Sequence, residues 1–327
     1  MTDASDFISY AVRSEQAGLR ADAFLALRAP FLSRTCIKRL IMTGEVLLNG
    51  NRLSTSTRLR EGDRLLLRRP RSDETAPFRE LEVLYEDDRL LAVAKPAGVP
   101  IHPVGRKLTG TLIQSVREMF RGEIEKHLAL GDPGFYPSLV NRLDLFSSGV
   151  VLIAKDKDTL AAMHRLIAQG AVQKRYLVLV RGSIEPASGT IEEPIGPDPA
   201  GRIRIKRAVR PDGLRAATRY EVLERLPGYS LAAAYPLTGR QHQVRVHFAS
   251  LGHPVWGDLI YEDEALFLQY FENGCRLDPS LPPRQGLHAE RMSFRHPASG
   301  RELEIVSPLP EDFQDILRMC KDRNVKV

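Results

Sequence analysis

Residues 141–156 read NRLDLFSSGVVLIAKD and join a tight polar segment to a continuous apolar run. The run at 150–154 is rich in β-branched residues and lies between a glycine and a lysine, which predicts a buried central strand. Asp144 precedes it on a loop that the strand would hold rigidly, a common setting for functional groups. Asp144 is therefore a candidate functional residue. The alternative is a structural carboxylate that caps the local backbone or pairs with Arg142.

The length and composition indicate an ordinary folded protein. The chain has 327 residues, 43% of them hydrophobic and 27% charged, which is enough for two domains. No apolar run approaches the roughly 20 residues that cross a membrane, and the N-terminus lacks a signal-peptide pattern. The three cysteines are isolated, which argues against a disulfide framework or a structural zinc site. We expect a cytoplasmic protein without a membrane partner.

The positive charge is concentrated near the N-terminus. The whole chain has a net charge of +6, yet residues 13–72 alone contain 13 Lys/Arg and 5 Asp/Glu. A basic module attached to a nearly neutral body predicts a polyanionic partner, most simply nucleic acid. The alternative is a solvated basic surface.

The basic module has a clear pattern of secondary structure. Helical spacing predicts one helix over 19–27 and a second between Ser33, as N-cap, and Gly44, as C-terminal stop. Asn49-Gly50 predicts a hairpin turn, and a strand is expected at 63–68. Residues 1–11 are expected to be a loose lead-in. The exposed face of the second helix would carry Arg34, Lys38 and Arg39.

The remainder of the chain alternates predicted strands with a few helices. A linker rich in proline and polar residues is expected at 71–77. Strands are predicted at 81–85, 90–94, 174–181, 229–235, 287–294 and 302–306, and helices at 112–120, 159–168, 238–251 and 313–320. Arginine and isoleucine alternate at 202–207, which predicts a strand with one face packed and one face toward phosphates.

Several motifs resemble known families. Residues 12–70, with GEVLLNG at 44–50 and EGDRL at 61–65, resemble the S4-type RNA-binding module. The rest resembles the RluA-type family of pseudouridine synthases in four stretches: LAVAKPAGVPIHP at 91–103, RLD at 142–144 followed by Ser148-Gly149, KRYLVLVRG at 174–182, and LTGRQHQVRVH at 237–247 through Gly257-Asp258. The resemblance implies an α+β fold with a mixed, mainly antiparallel sheet. It implies a catalytic domain at 78–312, a small N-terminal S4-like α/β domain at 12–70, and a C-terminal helix and tail at 313–327.

The resemblance also assigns roles to three residues. Asp144 matches the catalytic aspartate of the family, Tyr176 the tyrosine that lies against the target base, and Arg245 the basic residue that pairs with the aspartate. Converting uridine to pseudouridine exchanges a C–N for a C–C bond with no net redox change, so we expect no cofactor and no metal. The sequence leaves open whether Asp144 acts as a nucleophile or as a base on the sugar. His242 and His247 are five residues apart, which does not match the helical zinc pair.

The expected partner is RNA, most simply ribosomal RNA of the large subunit, bound by a monomer. Residues expected to contact it are Arg34, Lys38, Arg39, Arg142, Arg204, Lys206, Arg240 and His242. A tRNA pseudouridine synthase, an inactive RNA-binding or ribosome assembly factor, and a nucleosidase are the alternatives. A nucleosidase would need a second carboxylate opposite Asp144.

The sequence departs from the family pattern at three points. Asn141 stands where histidine is usual, Phe146-Ser147 replaces the common Asp-Thr, and Gln241 stands where threonine is common. All three residues expected to carry the chemistry are nevertheless present.

Overall fold

The computed structural model describes residues 7–29, 32, 34–68, 80–103, 110–129, 134–273 and 282–322. These residues form two compact units. The first comprises the described parts of 1–81, 100–138 and 155–157, and the second those of 82–99, 139–154 and 158–327. Within the described ranges, no helix has the length and apolar character needed to cross a bilayer.

The secondary structure alternates short strands and helices along the chain. The strands are β1 (Phe7–Ala11), β2 (Val46–Leu48), β3 (Asn51–Arg52), β4 (Arg64–Arg68), β5 (Glu82–Glu86), β6 (Leu90–Lys95), β7 (Phe135–Leu139), β8 (Ser148–Asp156), β9 (Gln173–Arg181), β10 (Ser188–Ile191), β11 (Ile195–Pro197), β12 (Arg207–Val209), β13 (Thr218–Leu226), β14 (Tyr229–Pro236), β15 (Leu287–Arg295) and β16 (Glu302–Val306). The helices are α1 (Ala21–Arg28), α2 (Arg34–Thr43), α3 (Leu112–Met119), α4 (Arg121–Ala129), α5 (Lys157–Ala168), α6 (Gln243–Ser250), α7 (Leu259–Glu262), α8 (Glu264–Glu272) and α9 (Glu311–Asp322).

The first unit contains a four-stranded antiparallel sheet in the order β1-β4-β2-β3. Phe24, Ile37 and Leu65 are fully buried in its core, so the apolar faces of α1 and α2 pack as their spacing predicted. The predicted hairpin is confirmed, since Asn49 and Gly50 both have positive φ, at 51° and 84°. Ser33, the predicted N-cap of α2, lies outside the described residues.

The predicted loose lead-in at 1–11 is wrong for its last five residues. Phe7–Ala11 forms β1, which pairs along the whole of β4, from Phe7 opposite Arg68 to Ala11 opposite Arg64. The segment mixes polar and apolar residues without clear alternation, and only the free edge of β4 gives it a partner. Strand formation there depends on pairing rather than on local pattern.

The second unit is organised around a large sheet in the order β10-β13-β14-β9-β15-β8-β6-β5, with β16 paired to β15. These pairings are antiparallel except for β15 with β8. Strand β8 is buried from Ser148 through Lys155, which confirms the predicted central strand. The architecture confirms the expected α+β class with a mixed, mainly antiparallel sheet.

Two segments of the second unit differ from the sequence prediction. Residues 202–206 form bends and a turn, closed by the Lys206 N–H donating to the Ile203 carbonyl at 2.9 Å, and the strand begins only at β12. Ile203 is buried and Ile205 is 45% exposed, so the two isoleucines do not share one packed face. The helix predicted from residue 238 begins five residues later, at α6.

The predicted domain boundaries stay predictions, because linker residues 71–77 lie outside the described part of the chain. Residues 100–138 group with the N-terminal residues rather than with the sheet of the second unit. One contact inside that first unit is the Tyr136 hydroxyl, which donates to the Ala26 carbonyl at 3.2 Å.

Replacing Gly149 with alanine should strongly destabilise the second unit. Gly149 has a φ of 118°, and a Cβ there would overlap the Ala289 backbone where β8 meets β15. We expect a loss of at least about 3 kcal/mol in the free energy of unfolding, measured by urea denaturation. The control is Gly228→Ala, which has a φ of 74° with open space around it and should cost about 1 kcal/mol. Equal losses in the two variants would contradict the steric argument.

Candidate active site

A buried lysine, Lys95, fixes the backbone of the loop that precedes β8. The Lys95 Nζ donates to the carbonyls of Pro96, Leu145 and Ser147 at 2.9, 3.1 and 2.7 Å, and the residue is 1% exposed. An ammonium group has three N–H donors, so these carbonyls use all of them. Burial lowers the pKa of Lys95 to about 7, against the raising effect of the negative charge on Asp144. The backbone on the C-terminal side of Asp144 is therefore fixed to the end of β6.

Asn141 has a structural role on the other side of the loop. Its Oδ1 accepts from the Leu152 N–H at 2.8 Å, and its Nδ2 donates to the Val150 carbonyl at 3.3 Å. The side chain thus pairs with β8 as a neighbouring strand would. The asparagine that stands in place of histidine here therefore has hydrogen-bond partners for both polar atoms of its side chain.

Asp144 and Arg245 form a close ion pair. The Arg245 Nη1 donates to the Asp144 Oδ2 at 2.6 Å, across 101 residues of sequence. The Arg245 side chain is 3% exposed and that of Asp144 is 29% exposed. One carboxylate oxygen is therefore held by a buried cation while the group as a whole remains accessible.

A second carboxylate holds the other edge of the arginine. Asp258 is fully buried, and its two oxygens accept from the Arg245 Nε and Nη2 at 2.6 and 2.8 Å. Asp258 also caps α7 by accepting from the Ile260 N–H at 3.2 Å. A bidentate pair of this kind fixes the plane of the guanidinium, which then presents Nη1 to Asp144 in one orientation.

The charges of the site support an ionised Asp144. Burial is the largest single influence on the pKa of Asp144 and acts to raise it, but the charge and hydrogen bond of Arg245, with smaller contributions from His242 and Lys95, together hold the pKa below its usual value. Burial alone would lower the pKa of Arg245, whereas Asp258 and Asp144 together raise it. The guanidinium and the carboxylate therefore remain charged around neutral pH.

Tyr176 lies in β9, half-buried, opposite Ala289 of β15 and Ala234 of β14. Burial raises the pKa of Tyr176 well above its ordinary value, and the negative charge of Asp144 raises it further. The phenol therefore stays neutral. Ala289, which is opposite Tyr176, is also opposite Gly149 at the start of β8, five residues after Asp144. The structure thus pairs Asp144 with Arg245, and the role of Tyr176 beside them stays a prediction.

His242 and Tyr261 complete the surroundings of Asp144. His242 precedes α6 in a left-handed conformation, with a φ of 58°, and its Nε2 lies 3.9 Å from the Asp144 Oδ1. Its Nδ1 lies 2.9 Å from the Tyr261 hydroxyl. The Tyr261 ring also lies under Arg245, with the guanidinium carbon 5.0 Å from the ring centroid. Sequence reasoning missed Tyr261 and the role of Asp258, although Asp258 stands in one of the quoted motifs.

The residues expected to bind RNA fall into different environments. Lys38 and Arg39 are exposed on α2, and Arg142, Arg204 and Arg240 are exposed in the second unit; the side chain of Arg34 lies outside the described residues. Lys206 is less available, because its Nζ pairs with Glu264 at 2.6 Å and with Asp198 at 3.5 Å. His242 is buried beside Asp144 rather than displayed on the surface. The RNA-binding roles of the whole set stay predictions.

The other two departures from the family pattern also have local partners. Phe146 packs edge-on against Tyr270, with ring centroids 5.9 Å apart, and the Ser147 hydroxyl donates to the Gln285 side chain at 3.3 Å. The Gln241 side-chain oxygen accepts from the Arg207 Nε at 2.9 Å, which ties β12 to the loop before α6.

The described ranges contain no group of three or more His, Cys, Asp or Glu side chains arranged to hold a metal ion. The chemistry that the site can perform with its own residues is that of a reactive carboxylate. Asp258 cannot serve as a second, opposing acid, because both its oxygens bind Arg245 and the residue has no exposed surface.

Comparisons with known proteins define the class. A family model described as RNA pseudouridylate synthase matches residues 89–250. A protein of Mycobacterium tuberculosis named uncharacterized RNA pseudouridine synthase is 35% identical over 321 residues, which cover 93% of this chain and 95% of the relative. The ribosomal large subunit pseudouridine synthase D of Xanthomonas campestris is 32% identical over 318 residues, covering 96% and 93% of the two chains. The solved structure of human RNA pseudouridylate synthase domain containing 1 is 28% identical, with a TM-score of 0.55 over 72% of this chain and 86% of that chain.

The two bacterial relatives match more than nine tenths of the chain, and the family model includes the segments that carry Asp144, Tyr176 and Arg245. The chain belongs to the family of RNA pseudouridylate synthases. It is an RNA pseudouridine synthase, an isomerase whose substrate is RNA.

Removing the shared arginine should destabilise the fold by leaving Asp258 buried without its partner. We expect Arg245→Met to lower the free energy of unfolding by about 3–5 kcal/mol, measured by urea denaturation. The double variant Arg245→Met/Asp258→Asn should recover part of that loss, because the unpaired buried charge is gone. Arg318→Met, which removes a surface pair with Asp315, is the control and should cost less than about 1 kcal/mol. No recovery in the double variant would contradict this account.

Proposed function

We propose that this enzyme isomerises specific uridines of ribosomal RNA, with Asp144 as the catalytic carboxylate and the target base against Tyr176. The observation that carries the proposal is the asymmetric environment of Asp144. Its Oδ2 is held by Arg245 at 2.6 Å, whereas the side chain keeps 29% of its surface exposed. A carboxylate that is fixed through one oxygen, while its side chain stays partly exposed, is suited to act on a substrate that enters from outside.

The reaction breaks the bond between C1′ of the ribose and N1 of uracil and forms a bond between C1′ and C5. The proton on C5 is lost and N1 gains one, so that the product is an isomer of the substrate. Asp144 can attack C1′ directly or remove a proton from the neighbouring ribose carbon, and either route needs the ionised carboxylate that Arg245 stabilises. Tyr176, neutral at working pH, supplies a ring face for the uracil while the base detaches and turns.

A uridine in a stacked RNA strand cannot bring its C1′ to Asp144. The target nucleotide must therefore rotate out of the stack, at a cost of a few kcal/mol that contacts to the rest of the RNA offset. The exposed Arg142, Arg204 and Arg240 of the second unit are suited to bind phosphates around the displaced nucleotide. This step is common to all substrates and does not by itself select one RNA.

The proposal of ribosomal RNA rests on the relatives. Proteins named ribosomal large subunit pseudouridine synthase C, from Haemophilus ducreyi, and D, from Xanthomonas campestris, are each 32% identical to this chain over more than nine tenths of both lengths. We further propose that the basic segment 12–70 is an S4-like module that binds the RNA backbone. Its helix α2 displays Lys38 and Arg39 on an exposed face.

Asp144→Asn should abolish pseudouridine formation while leaving RNA binding within about twofold, since the change removes the reactive charge and keeps the shape. Large-subunit RNA and tRNA transcripts would be incubated with each enzyme, and pseudouridine and free uracil would be measured by mass spectrometry. Product in ribosomal RNA alone supports the proposed substrate, and maps of RNA from cells with and without the gene would identify the positions. Turnover by the asparagine variant would refute the role of Asp144, and released uracil would indicate a nucleosidase.

Neutralising α2 should weaken RNA binding in a salt-dependent way. If Lys38 and Arg39 each contact a phosphate, the variant Lys38→Gln/Arg39→Gln should reduce the slope of log K against log salt by about 1.4–1.8. The slope would be measured by fluorescence anisotropy of labelled RNA. The control variant Arg295→Gln/Arg318→Gln removes the same number of positive charges from exposed residues near the C-terminal end of the sequence. It should leave the slope unchanged. Equal effects of the two pairs would reject a local role for α2.

A further inference from the structure

Two hydrogen bonds to the Tyr261 hydroxyl determine how its hydrogen is placed. The Arg207 backbone N–H donates to this oxygen at 3.0 Å, and the His242 Nδ1 lies 2.9 Å from it. The backbone group can only donate, so it uses a lone pair of the hydroxyl. When the hydroxyl hydrogen points to Nδ1, the hydroxyl hydrogen and the Arg207 N–H both have an acceptor. The His242 Nδ1 is then an acceptor, and the ring hydrogen sits on Nε2.

The environment of Nε2 leads independently to the same tautomer. Nε2 lies 3.9 Å from the Asp144 Oδ1, on the oxygen that Arg245 does not bind. A lone pair on Nε2 would face the negative carboxylate, whereas an N–H there is attracted to it. Both ends of the imidazole therefore favour hydrogen on Nε2.

The charged groups around His242 also favour the neutral ring. Burial is the main cause that lowers the pKa of His242, to about 4, and the positive charges of Arg245 on α6 and Arg207 on β12 act in the same direction. The negative charges of Asp144, on the loop before β8, and of Asp258, at the start of α7, act to raise the pKa of His242 but have the smaller total effect. His242 thus stays uncharged at neutral pH and does not compete with Arg245 for Asp144.

We propose that Tyr261 is a positioning residue that holds His242 as its neutral Nε2–H tautomer, so that the imidazole donates a hydrogen bond to the 2′-hydroxyl of the target ribose. The inference rests on the proposed function, in which the free oxygen of Asp144 faces the ribose. The 2′-hydroxyl is carried by the carbon next to C1′, and the donor on Nε2 lies beside the oxygen that approaches that region. A neutral donor orients the sugar without neutralising the carboxylate.

The local backbone is built to hold this arrangement. His242 adopts its left-handed conformation directly before α6, and its ring meets that of Tyr261 edge-on, with centroids 5.8 Å apart and planes at 89°. Gln241 binds the side chain of Arg207, the residue whose backbone N–H anchors the Tyr261 hydroxyl. The imidazole is therefore fixed by β12, by α7 and by its own backbone.

Tyr261→Phe removes only the hydroxyl and keeps the ring under Arg245. We expect the single-turnover rate at neutral pH to fall about tenfold, the typical effect of one lost hydrogen bond, with RNA affinity unchanged. The pH dependence should stay close to that of the wild type, because burial and the charges of Arg245 and Arg207 keep the pKa of His242 low in both enzymes. Tyr220→Phe, a buried tyrosine in β13 whose hydroxyl bonds only the Pro186 carbonyl among the described residues, is the control and should match the wild type.

A second pair of variants tests whether Tyr261 acts through His242. His242→Gln keeps a side-chain N–H donor and should retain more activity than His242→Leu. Adding Tyr261→Phe to His242→Leu should cause no further loss, because a positioning residue has no effect once the group it positions is gone. In the wild type, ¹⁵N NMR of labelled histidine should show hydrogen on Nε2 of His242.

The inference is overturned by hydrogen on Nδ1 in the wild type, by a Tyr261→Phe rate equal to the wild type, or by a Tyr261→Phe loss that adds fully to that of His242→Leu. Asp144→Asn, assayed in parallel, separates this failure from that of the proposed function. An inactive asparagine variant beside a fully active Tyr261→Phe enzyme refutes only the role of Tyr261. An active asparagine variant refutes the proposed function itself.

Discussion

The site depends on one buried guanidinium shared by two carboxylates. Asp258 takes two donors of Arg245 and is completely enclosed, while Asp144 takes a third and remains accessible. A buried arginine without compensation would be costly, and the inner carboxylate supplies that compensation before any substrate is present. The outer carboxylate can therefore be both firmly oriented and chemically available. The α6 helix that carries Arg245, the N-terminus of α7 and the loop before β8 must all be in place for this arrangement to exist.

The large sheet provides that placement by fixing the backbone on every side of Asp144. Lys95 binds the loop carbonyls from the end of β6, Asn141 pairs with β8 through its side chain, and Gly149 allows β15 to approach β8 without a Cβ between them. Rigid support of this kind keeps a reactive group within a narrow range of positions, which lowers the entropic part of the barrier.

Sequence reasoning succeeded where the signal was local. The apolar run of β8, the Asn49-Gly50 hairpin and the spacing of the first two helices each report a physical requirement that neighbouring residues satisfy together. It failed where a partner elsewhere decided the outcome. Residues 202–206 alternate as a strand should but close into a turn, and residues 7–11 lack a strong pattern but pair with a free edge. Alternation alone does not create a strand, because the backbone groups need a neighbour to bind.

The sequence by itself determined the class of fold, the catalytic candidates Asp144, Tyr176 and Arg245, and, through the motifs that carry them, the chemistry of the enzyme. Only the tertiary structure decided how these residues are held. It joined Asp144 to the distant Arg245 by a hydrogen bond of 2.6 Å, and it added Asp258 and Tyr261. The physical reason is that orientation and protonation are set by contacts across the fold. Such contacts leave no periodicity in the sequence, so a chain can show which groups are present without showing which of them bind one another.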